Sequence, residues 1–385
     1  MLITNATILT PTIQIDHGAV HIENGRITAV GRAGEVAAPD QETRFDTRGM
    51  LLAPGFVDLQ LNGAFGHDFT QDPASIWHAA ARLPRFGVTT FLPTIISSPP
   101  ATIQAAQQAL QQMPNGFHGA LPLGLHLEGP FLNPGKKGAH NPAHLLPPDL
   151  ALASDWAPGS GVRLVTLAPE LPGALDVIRR LCANGVLVSA GHSLATYGEA
   201  QAALEAGVGY GTHLFNAMAP LHHRRPGLAA ALLADTRAAV GLIADGVHVH
   251  PALVGLVWSL LGAQRLTLVT DAMAALGMPP GTYQLGDRAV RVEGRQATLP
   301  DGTLAGSILS LDAALRNLVQ MSRCPLPEAL QTVTTTPAHL LGLDHRKGTI
   351  APGYDADLVI LTPNLEVAAT FGNGRLLYQR DERYE

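Results

Sequence analysis

ALPLGLHLEGP (residues 120–130) is an apolar run with an acidic residue, Glu128, near its end. Two later runs repeat this design: GVLVSAGHS (185–193) carries His192, and VGYGTHLFNAM (208–218) carries His213. A fourth run, RLTLVTDAM (265–273), carries Asp271. Each run predicts a buried strand with a metal-binding or proton-transferring side chain at its C-terminal tip. These tips meet only if the strands lie side by side in a closed parallel sheet.

Eight segments of this kind alternate with Ala- and Leu-rich helical stretches along the chain. They are GFVDLQLNG (55–63), GVTTFLPTI (87–95), ALPLGLHLEG (120–129), VRLVTLAPE (162–170), GVLVSAGHS (185–193), VGYGTHLFN (208–216), AAVGLIADGVH (238–248) and RLTLVTDAM (265–273). Helices are predicted at ATIQAAQQALQQM (101–113), ALDVIRRLCANG (174–185) and EAQAALEAG (199–207). Eight strand–helix units predict an α/β fold, a (β/α)8 TIM-like barrel, and about 220 residues suffice for it.

Polar residues at the C-terminal ends of these segments mark the expected active-site face, since chemistry in such barrels sits at that end. They are Gln60, Asn62, Thr94, Glu128, Glu170, His192, His213, Asn216, Asp245, His248 and Asp271. Strand alternation places Leu125 and Leu127 toward the outer helices. It turns His126 and Glu128 into the barrel.

Both termini predict short strands. GAVHIE (18–23) and RITAVG (26–31) flank an Asn-Gly pair, which favours a hairpin. DADLVILTP (355–363), LEVAATF (365–371) and RLLYQ (375–379) repeat the pattern around a Gly-Asn-Gly turn. We expect one discontinuous β-sandwich domain of residues 1–52 and 346–385 around a catalytic barrel of residues 53–345. The alternative is two independent hairpins packed on the barrel.

Bulk composition excludes several classes of protein. Hydrophobic content of 46% and charged content of 15% indicate a globular protein with a large buried core, and the net charge of −6 argues against a nucleic-acid partner. The apolar segment ALVGLVWSLLGA (252–263) is shorter than the roughly 20 residues that span a bilayer. The N-terminus shows no secretory signal, and Cys182 and Cys324 lack a CxxC spacing. We expect a cytoplasmic protein without a membrane partner.

Glu128, His192 and His213 provide a carboxylate and two imidazoles, a ligand set of catalytic zinc sites that leaves a position for water. A bound divalent metal brings the pKa of that water to about 7. Asp271 is placed to take the water's proton and return it to a leaving amine. Taken singly, each His is also explained as a hydrogen-bonded strand-end residue, and Asp271 as the cap of a helix beginning at DAMAAL.

The order of motifs resembles N-acetylglucosamine-6-phosphate deacetylases of the amidohydrolase superfamily. The motifs are HLEGPFLNPGKKGAHNP (126–142), SAGHS (189–193), THLFNAM (212–218), ADGVH (244–248), LVTDAM (268–273) and TLAGS (303–307). APGFVDLQLNG (53–63) and KGTIAPGYDADLVIL (347–361) resemble the entry and exit segments of the superfamily. The resemblance covers essentially the whole chain.

The resemblance implies metal ligands at Glu128, His192 and His213, and a catalytic acid/base at Asp271. It implies a sugar-phosphate site, to which we assign Ala139, Asn216, Ala217, Arg224, Asp245, His248, Leu304, Ala305 and Gly306. A guanidinium such as that of Arg224 suits phosphate, because it can bind two phosphate oxygens at once. In that family this arginine comes from the neighbouring subunit, so we expect a homodimer. A solvated loop cation is the alternative for Arg224, and Arg225 is the alternative contact. His140 is a candidate for polarising the substrate carbonyl.

Gln60-Leu61-Asn62 stands where many amidohydrolases have a His-x-His pair for a second metal. Neutral amides are poor zinc ligands, so we expect one divalent metal per subunit: zinc first, with iron, manganese and cobalt open. The implied reaction is hydrolysis of N-acetyl-D-glucosamine 6-phosphate to D-glucosamine 6-phosphate and acetate. The alternatives are another N-acetylated sugar phosphate, a cyclic amide, or a barrel that binds without catalysis.

Overall fold

The computed structural model describes residues 1–11, 14–39 and 41–381. Residues 12–13, 40 and 382–385 of the predicted small domain lie outside the described residues. The chain begins with strands β1 (Leu2–Leu9), β2 (Gln14–Glu23), β3 (Arg26–Arg32), β4 (Arg44–Asp46) and β5 (Leu51–Pro54). Between β2 and β3, Asn24 and Gly25 have φ of 50° and 78°, the left-handed pair of a type I′ turn. The predicted hairpin is therefore confirmed.

The chain then passes through the strands of the central barrel. They are β6 (Phe56–Leu61), a short hairpin of β7 (Gly63–Ala64) and β8 (His67–Asp68), then β9 (Val88–Ile96), β10 (Leu121–Pro122), β11 (Leu125–Glu128), β12 (Val162–Leu167), β13 (Leu187–Ala190), β14 (Tyr210–Gly211), β15 (Ala239–Leu242) and β16 (Leu266–Leu268). Parallel pairing runs β6-β9-β11-β12-β13-β14-β15-β16, with β10 beside β9. Backbone bonds from Asp271 N–H to Gln60 O (2.9 Å) and Asn62 N–H to Ala272 O (2.8 Å) link the last strand to the first. The predicted eight-stranded barrel is confirmed.

Helices surround the barrel and occupy the segments with helical periodicity. They are α1 (Ile76–Ala80), α2 (Pro100–Gln111), α3 (Leu150–Ala153), α4 (Ala174–Ala183), α5 (Tyr197–Ala206), α6 (Gly227–Ala234), α7 (Pro251–Arg265), α8 (Leu311–Ser322), α9 (Leu326–Gln331) and α10 (Thr335–Leu340). Helix α5 starts with a capping box, in which Thr196 N–H donates to Glu199 Oε2 (2.8 Å) and Glu199 N–H to Thr196 Oγ1 (3.3 Å). Within the described ranges, no helix is long and apolar enough to cross a bilayer.

The interior of the barrel contains a chain of polar contacts below the site. His126 Nε2 lies 2.7 Å from Thr166 Oγ1, which lies 2.6 Å from Thr212 Oγ1. Burial lowers the pKa of His126 to about 4, so its ring is neutral near pH 7. The inward direction predicted for His126 is confirmed, and its hydrogen bonds tie neighbouring strands together.

A three-stranded antiparallel sheet, which the sequence did not predict, follows the barrel strands. Its strands are β17 (Gly281–Leu285), β18 (Arg288–Glu293) and β19 (Gln296–Thr298). Leu285, Val290 and Ala305 form a small apolar cluster with Ala139 and Ile96. The sheet therefore packs against loops at the C-terminal end of the barrel, over the expected active-site face.

The C-terminal strands β20 (Leu358–Leu361), β21 (Val367–Gly372) and β22 (Arg375–Gln379) complete the first sheet. Its order is β22-β21-β20-β5-β1-β2-β3, with β4 beside β1, because β20 pairs antiparallel with β5. Side chains from β1, β2, β3, β5, β20 and β21 share one apolar core, and Ala356 N–H donates to Gly25 O at 2.8 Å. Both termini therefore build one sandwich-like unit, not two independent hairpins. Strand β5 extends to Pro54, beyond the predicted boundary at residue 52, and the boundary itself stays a prediction.

Candidate active site

A cleft of about 350 Å³ opens at the C-terminal end of the barrel. Residues from seven of the eight strand ends or the loops that follow them, together with the added sheet, form its walls. They are Asn62, Ile96, Glu128, Gly135, Lys136, Gly138, Ala139, His140, His192, His213, Asn216, Ala217, His248, Asp271, Leu285, Thr303, Leu304 and Gly306. The strand tips that the sequence predicted to meet therefore do meet.

Glu128, His192 and His213 form the tightest cluster in this cleft. Glu128 Oε1 lies 3.1 Å from His192 Nε2 and 3.0 Å from His213 Nε2, and the two Nε2 atoms are 3.0 Å apart. Ligand atoms on a tetrahedral zinc ion, with bonds of about 2.0–2.1 Å, stand about 3.3 Å apart. The three atoms are thus close to the spacing that one cation needs, and all three residues are buried.

Backbone strain coincides with these side chains. His192, His213 and Asp271 have φ of 51°, 29° and 47°, in the left-handed region that residues other than glycine rarely adopt. Such conformations cost about 1–3 kcal/mol each and concentrate at functional sites. The strain turns each side chain at a strand end toward a common point, a feature that no sequence pattern indicated.

The orientation of the His192 ring is set by a contact behind the site. Its Nδ1 lies 2.8 Å from the carbonyl oxygen of Lys136, so Nδ1 carries the proton and the Nε2 lone pair faces the cleft. A Cβ atom at Gly138, which has φ of 54°, would stand 3.2 Å from His192 Cε1. The loop from Lys136 to Gly138 therefore needs glycine to approach the ring.

Electrostatics favour an ionised carboxylate at the centre of the cluster. Burial opposes ionisation of Glu128, yet contacts with His140, His192 and His213 hold its pKa well below the ordinary value. Burial also disfavours charge on His213, but Glu128 raises its pKa overall. A divalent cation bound here would compete with a proton, because metal ligation requires neutral imidazole. The donor set fits a divalent metal.

His140 lies beside this cluster. Its Nε2 is 3.7 Å from Glu128 Oε2, and its Nδ1 accepts a hydrogen bond from Ser97 N–H at 3.2 Å. Glu128, His140 and His192 also place ligand atoms within 4.8 Å of one another. The Nε2 atom of His213 lies 3.0 Å from both other donors, so Glu128, His192 and His213 form the tighter set of candidate ligands. His140 then keeps an Nε2–H directed into the cleft.

Asp271 lies on the first-strand side of the cleft. Its Oδ1 accepts hydrogen bonds from Asn62 Nδ2 (2.7 Å) and Gln60 Nε2 (3.1 Å). Burial, followed by the charge of Glu128, raises the pKa of Asp271 to about 6. The described residues show no helix starting at Asp271, since the next α-helix begins at Leu311. The alternative role as a helix cap is therefore wrong.

Most of the predicted sugar-phosphate residues line the same cleft. Ala139, Asn216, Ala217, His248, Leu304 and Gly306 do so. Ala305 is fully buried beneath them. Gly306 has φ of 66°, and a Cβ atom there would lie 2.9 Å from the carbonyl oxygen of Asp271, so only glycine fits this loop.

Asp245 lies behind the cleft wall and orients His248. Its Oδ2 is 2.7 Å from His248 Nδ1, while Oδ1 accepts the N–H groups of Val247 and His248, each at 2.8 Å. Arg295, from the turn between β18 and β19, donates to the Asp245 carbonyl oxygen. The position of His248 is therefore coupled to the added sheet.

Arg224 does not line this cleft in the chain described. It is exposed, contacts His223 Nε2 at 2.9 Å, and borders a separate surface cavity of about 680 Å³ with Arg225, Thr196 and Tyr197. Leu194 and Tyr197 on the same cavity are 46% and 39% exposed. Arg224 and the cluster of Glu128, His192 and His213 thus lie on different cavities of the chain.

The sequence reading did not assign a role to several residues that shape the site. Gln60 was expected at the active-site face and as a poor zinc ligand; it donates to both Glu128 and Asp271. Glu170 accepts hydrogen bonds from Asn133 Nδ2 (2.8 Å), Ser193 Oγ (2.7 Å) and the backbone N–H of Leu194 (2.6 Å). It so fixes the loop that follows His192. Its position at a strand end was the available signal, but its partners are distant in sequence.

Comparisons with known proteins agree with this geometry. The model of the amidohydrolase family matches residues 51–377. N-acetylglucosamine-6-phosphate deacetylase of Homo sapiens is 41% identical over 373 residues, which is 91% of this chain and 91% of the human protein. The Bacillus subtilis (strain 168) protein of the same name is 35% identical over 386 residues, covering 98% of this chain and 97% of its own.

Solved structures give the same result. The N-acetylglucosamine-6-phosphate deacetylase of Pasteurella multocida superposes with a TM-score of 0.92 at 31% identity, covering 98% of this chain and 99% of that one. A mutant of the Mycobacterium smegmatis enzyme, in complex with N-acetyl-D-glucosamine-6-phosphate, has a TM-score of 0.88 at 35% identity, with coverages of 98% and 99%. The chain therefore belongs to the amidohydrolase family and, within it, to the N-acetylglucosamine-6-phosphate deacetylases.

Proposed function

We propose that the protein hydrolyses the acetamide of N-acetyl-D-glucosamine 6-phosphate, giving D-glucosamine 6-phosphate and acetate. The observation that carries this proposal is the meeting of Glu128, His192 and His213 with Asp271 in one cleft. Relatives with that activity in their names match the chain over nearly its full length. The complete cluster argues against a barrel that only binds.

Glu128, His192 and His213 are proposed to hold one divalent cation, which supplies an activated water and polarises the substrate carbonyl when bound. Asp271 accepts the proton of the attacking water and then delivers it to the amide nitrogen as the C–N bond breaks. His140 Nε2–H donates to the oxygen of the acetyl carbonyl as negative charge develops there. The amine and the acetate leave as separate products.

We propose zinc as the metal, at one ion per subunit. A carboxylate with two imidazoles suits zinc, although iron, manganese and cobalt accept similar ligands. The amides of Gln60 and Asn62 take the place of a second imidazole pair, and their nitrogen atoms face the carboxylates. Metal analysis of purified protein should give one tightly held ion per chain, and two stoichiometric ions would contradict this assignment.

The substrate phosphate is proposed to contact Arg224 of a second subunit in a homodimer. Arg224 lies outside the cleft of its own chain, on a cavity with the exposed apolar side chains Leu194 and Tyr197. Exposed apolar groups beside an exposed guanidinium are what a subunit interface and a phosphate contact in trans require. Mixing Asp271→Asn and Arg224→Ala subunits should restore activity, because one of the two sites in a mixed dimer then has both groups.

A deacetylation assay tests the proposed reaction directly. Metal-depleted protein should be inactive on N-acetyl-D-glucosamine 6-phosphate and should recover with one equivalent of zinc. N-acetyl-D-glucosamine without phosphate should be a much poorer substrate, because the Arg224 contact is lost. Equal rates on both sugars would favour a different N-acetylated substrate.

We also propose a cytoplasmic location and the division of the chain into residues 1–52 with 346–385 and 53–345. The thiols of Cys182 and Cys324 are both free, as expected in a reducing compartment. The terminal strands and the barrel strands form separate sheets, which supports the proposed division.

A further inference from the structure

The side chain of Gln60 lies between the two carboxylates of the site. Its Nε2 is 3.0 Å from Glu128 Oε1 and 3.1 Å from Asp271 Oδ1. A carboxamide nitrogen carries two hydrogens, so one group supplies a donor to each acid. Asn62, two residues later on the same face of the strand, donates at 2.7 Å to Asp271 Oδ1. Asn62 makes no such bond to Glu128 among the described residues.

The orientation of both amides is determined by these acids. If either side chain were flipped, an amide oxygen would face a carboxylate oxygen and the two would repel. The Gln60 Oε1 and Asn62 Oδ1 atoms are buried and have no hydrogen-bond partner in the described structure. An unpaired buried acceptor is unfavourable. The donors are therefore held toward the acids at the expense of the acceptors.

Asp271 keeps one oxygen for reaction as a consequence. Both amides bond to Oδ1, and no hydrogen bond to Oδ2 is present among the described residues. Asp271 is 8% exposed and lines the cleft. The two amides thus fix the rotation of the carboxyl group, and Oδ2 is the oxygen that remains for proton transfer.

We propose that Gln60 is a positioning residue that couples the metal ligand Glu128 to the acid/base Asp271, and that Asn62 positions Asp271 alone. The nearby carboxylates of Glu128 and Asp271 repel each other, and the amide of Gln60 offsets this repulsion. This inference rests on the proposed function for its catalytic readout. Its metal-binding readout is independent of the substrate.

The test compares Gln60→Met with Asn62→Leu, two nearly isosteric changes that remove the amide. Zinc affinity is measured by chelator competition on the purified full-length protein. Gln60→Met should bind zinc about 10- to 100-fold more weakly, the usual cost of losing a hydrogen bond to a metal ligand, while Asn62→Leu should stay within about threefold of wild type. With saturating zinc, both variants should lose at least about tenfold in kcat with KM nearly unchanged, because both lose a donor to Asp271.

If Gln60→Met bound zinc as tightly as wild type, the proposed coupling would be overturned. An equal loss of zinc affinity in Asn62→Leu would overturn it too, because it would indicate general damage to the site. If KM changed along with kcat in both variants, the two amides would have a merely structural role. Gln60→Leu serves as the second variant if Gln60→Met does not fold, as judged by circular dichroism. Absence of deacetylation by the wild type would defeat the proposed function, while the zinc comparison would still decide the inference.

Discussion

Replacing Asp271 with Asn isolates proton transfer from the rest of the site. Asn is nearly isosteric with Asp, and its Oδ1 can still accept from Asn62 Nδ2 and Gln60 Nε2, which lie 2.7 and 3.1 Å away in the wild type. The variant also loses a buried carboxyl group, whose pKa burial and the charge of Glu128 raise to about 6. We therefore expect the fold and the cluster of Glu128, His192 and His213 to remain.

The expected loss in kcat follows from the proton transfers that the variant can no longer perform. A positioned general acid/base contributes about 10²- to 10⁴-fold to rate, which corresponds to about 3–5.5 kcal/mol in activation free energy. Asp271 acts twice, on the water and on the leaving nitrogen, so the loss in kcat should be near the upper end of that range. Binding of substrate and zinc should change little, because no proposed binding contact is removed.

The assay measures acetate release from N-acetyl-D-glucosamine 6-phosphate with zinc saturating, and substrate affinity by calorimetry on the inactive variant. Asp287→Asn is the matched control, because Asp287 is a half-exposed acid near the cleft that bonds to Asn141 (2.5 Å) and His144 (3.2 Å). The control should keep activity within about threefold, since exposed pairs contribute little. Turnover by Asp271→Asn within tenfold of wild type would refute the assignment of the acid/base.

Three further outcomes are expected. In the pH profile, kcat/KM should fall about tenfold per pH unit below the pKa of Asp271, which burial and the charge of Glu128 raise to about 6, because only the ionised carboxylate accepts a proton. A flat profile from pH 7 to 4 would contradict this. Arg224→Ala should raise KM about 10- to 100-fold, as expected for a lost charge-assisted hydrogen bond to phosphate, with a smaller effect on kcat, and an unchanged KM would leave Arg224 as a solvated loop cation. Burial raises the pKa of Asp58 to about 7 from 3.8, so the stability that its neutral form contributes is complete below pH 3.8 and is lost as pH rises through 7. In thermal unfolding, the stability of Asp58→Asn relative to wild type should therefore rise by up to about 4 kcal/mol between pH 4 and 8. A pH-independent difference would show that Asp58 is ionised in the folded protein.

The barrel could be predicted because its signals are local. Runs such as 120–130 and 265–273 carry period-two alternation and end in polar residues, and helical runs such as 174–185 separate them. The turns at Asn24-Gly25 and Asn373-Gly374 are equally local, since both need positive φ. By contrast, the sheet of β17–β19 was missed because its short alternating strands follow the eighth unit, where the repeating pattern had already ended.

The sequence by itself indicated Glu128, His192 and His213 as candidate metal ligands and Asp271 as the candidate acid/base, because strand ends in a parallel barrel must share one face. Only the tertiary structure decided how those groups are aimed. The left-handed backbone at His192, His213 and Asp271, the Lys136 carbonyl behind His192 and the Gln60 amide between two acids join residues far apart in the chain. Such contacts depend on three-dimensional packing and strain, which leave no periodic trace in the order of amino acids.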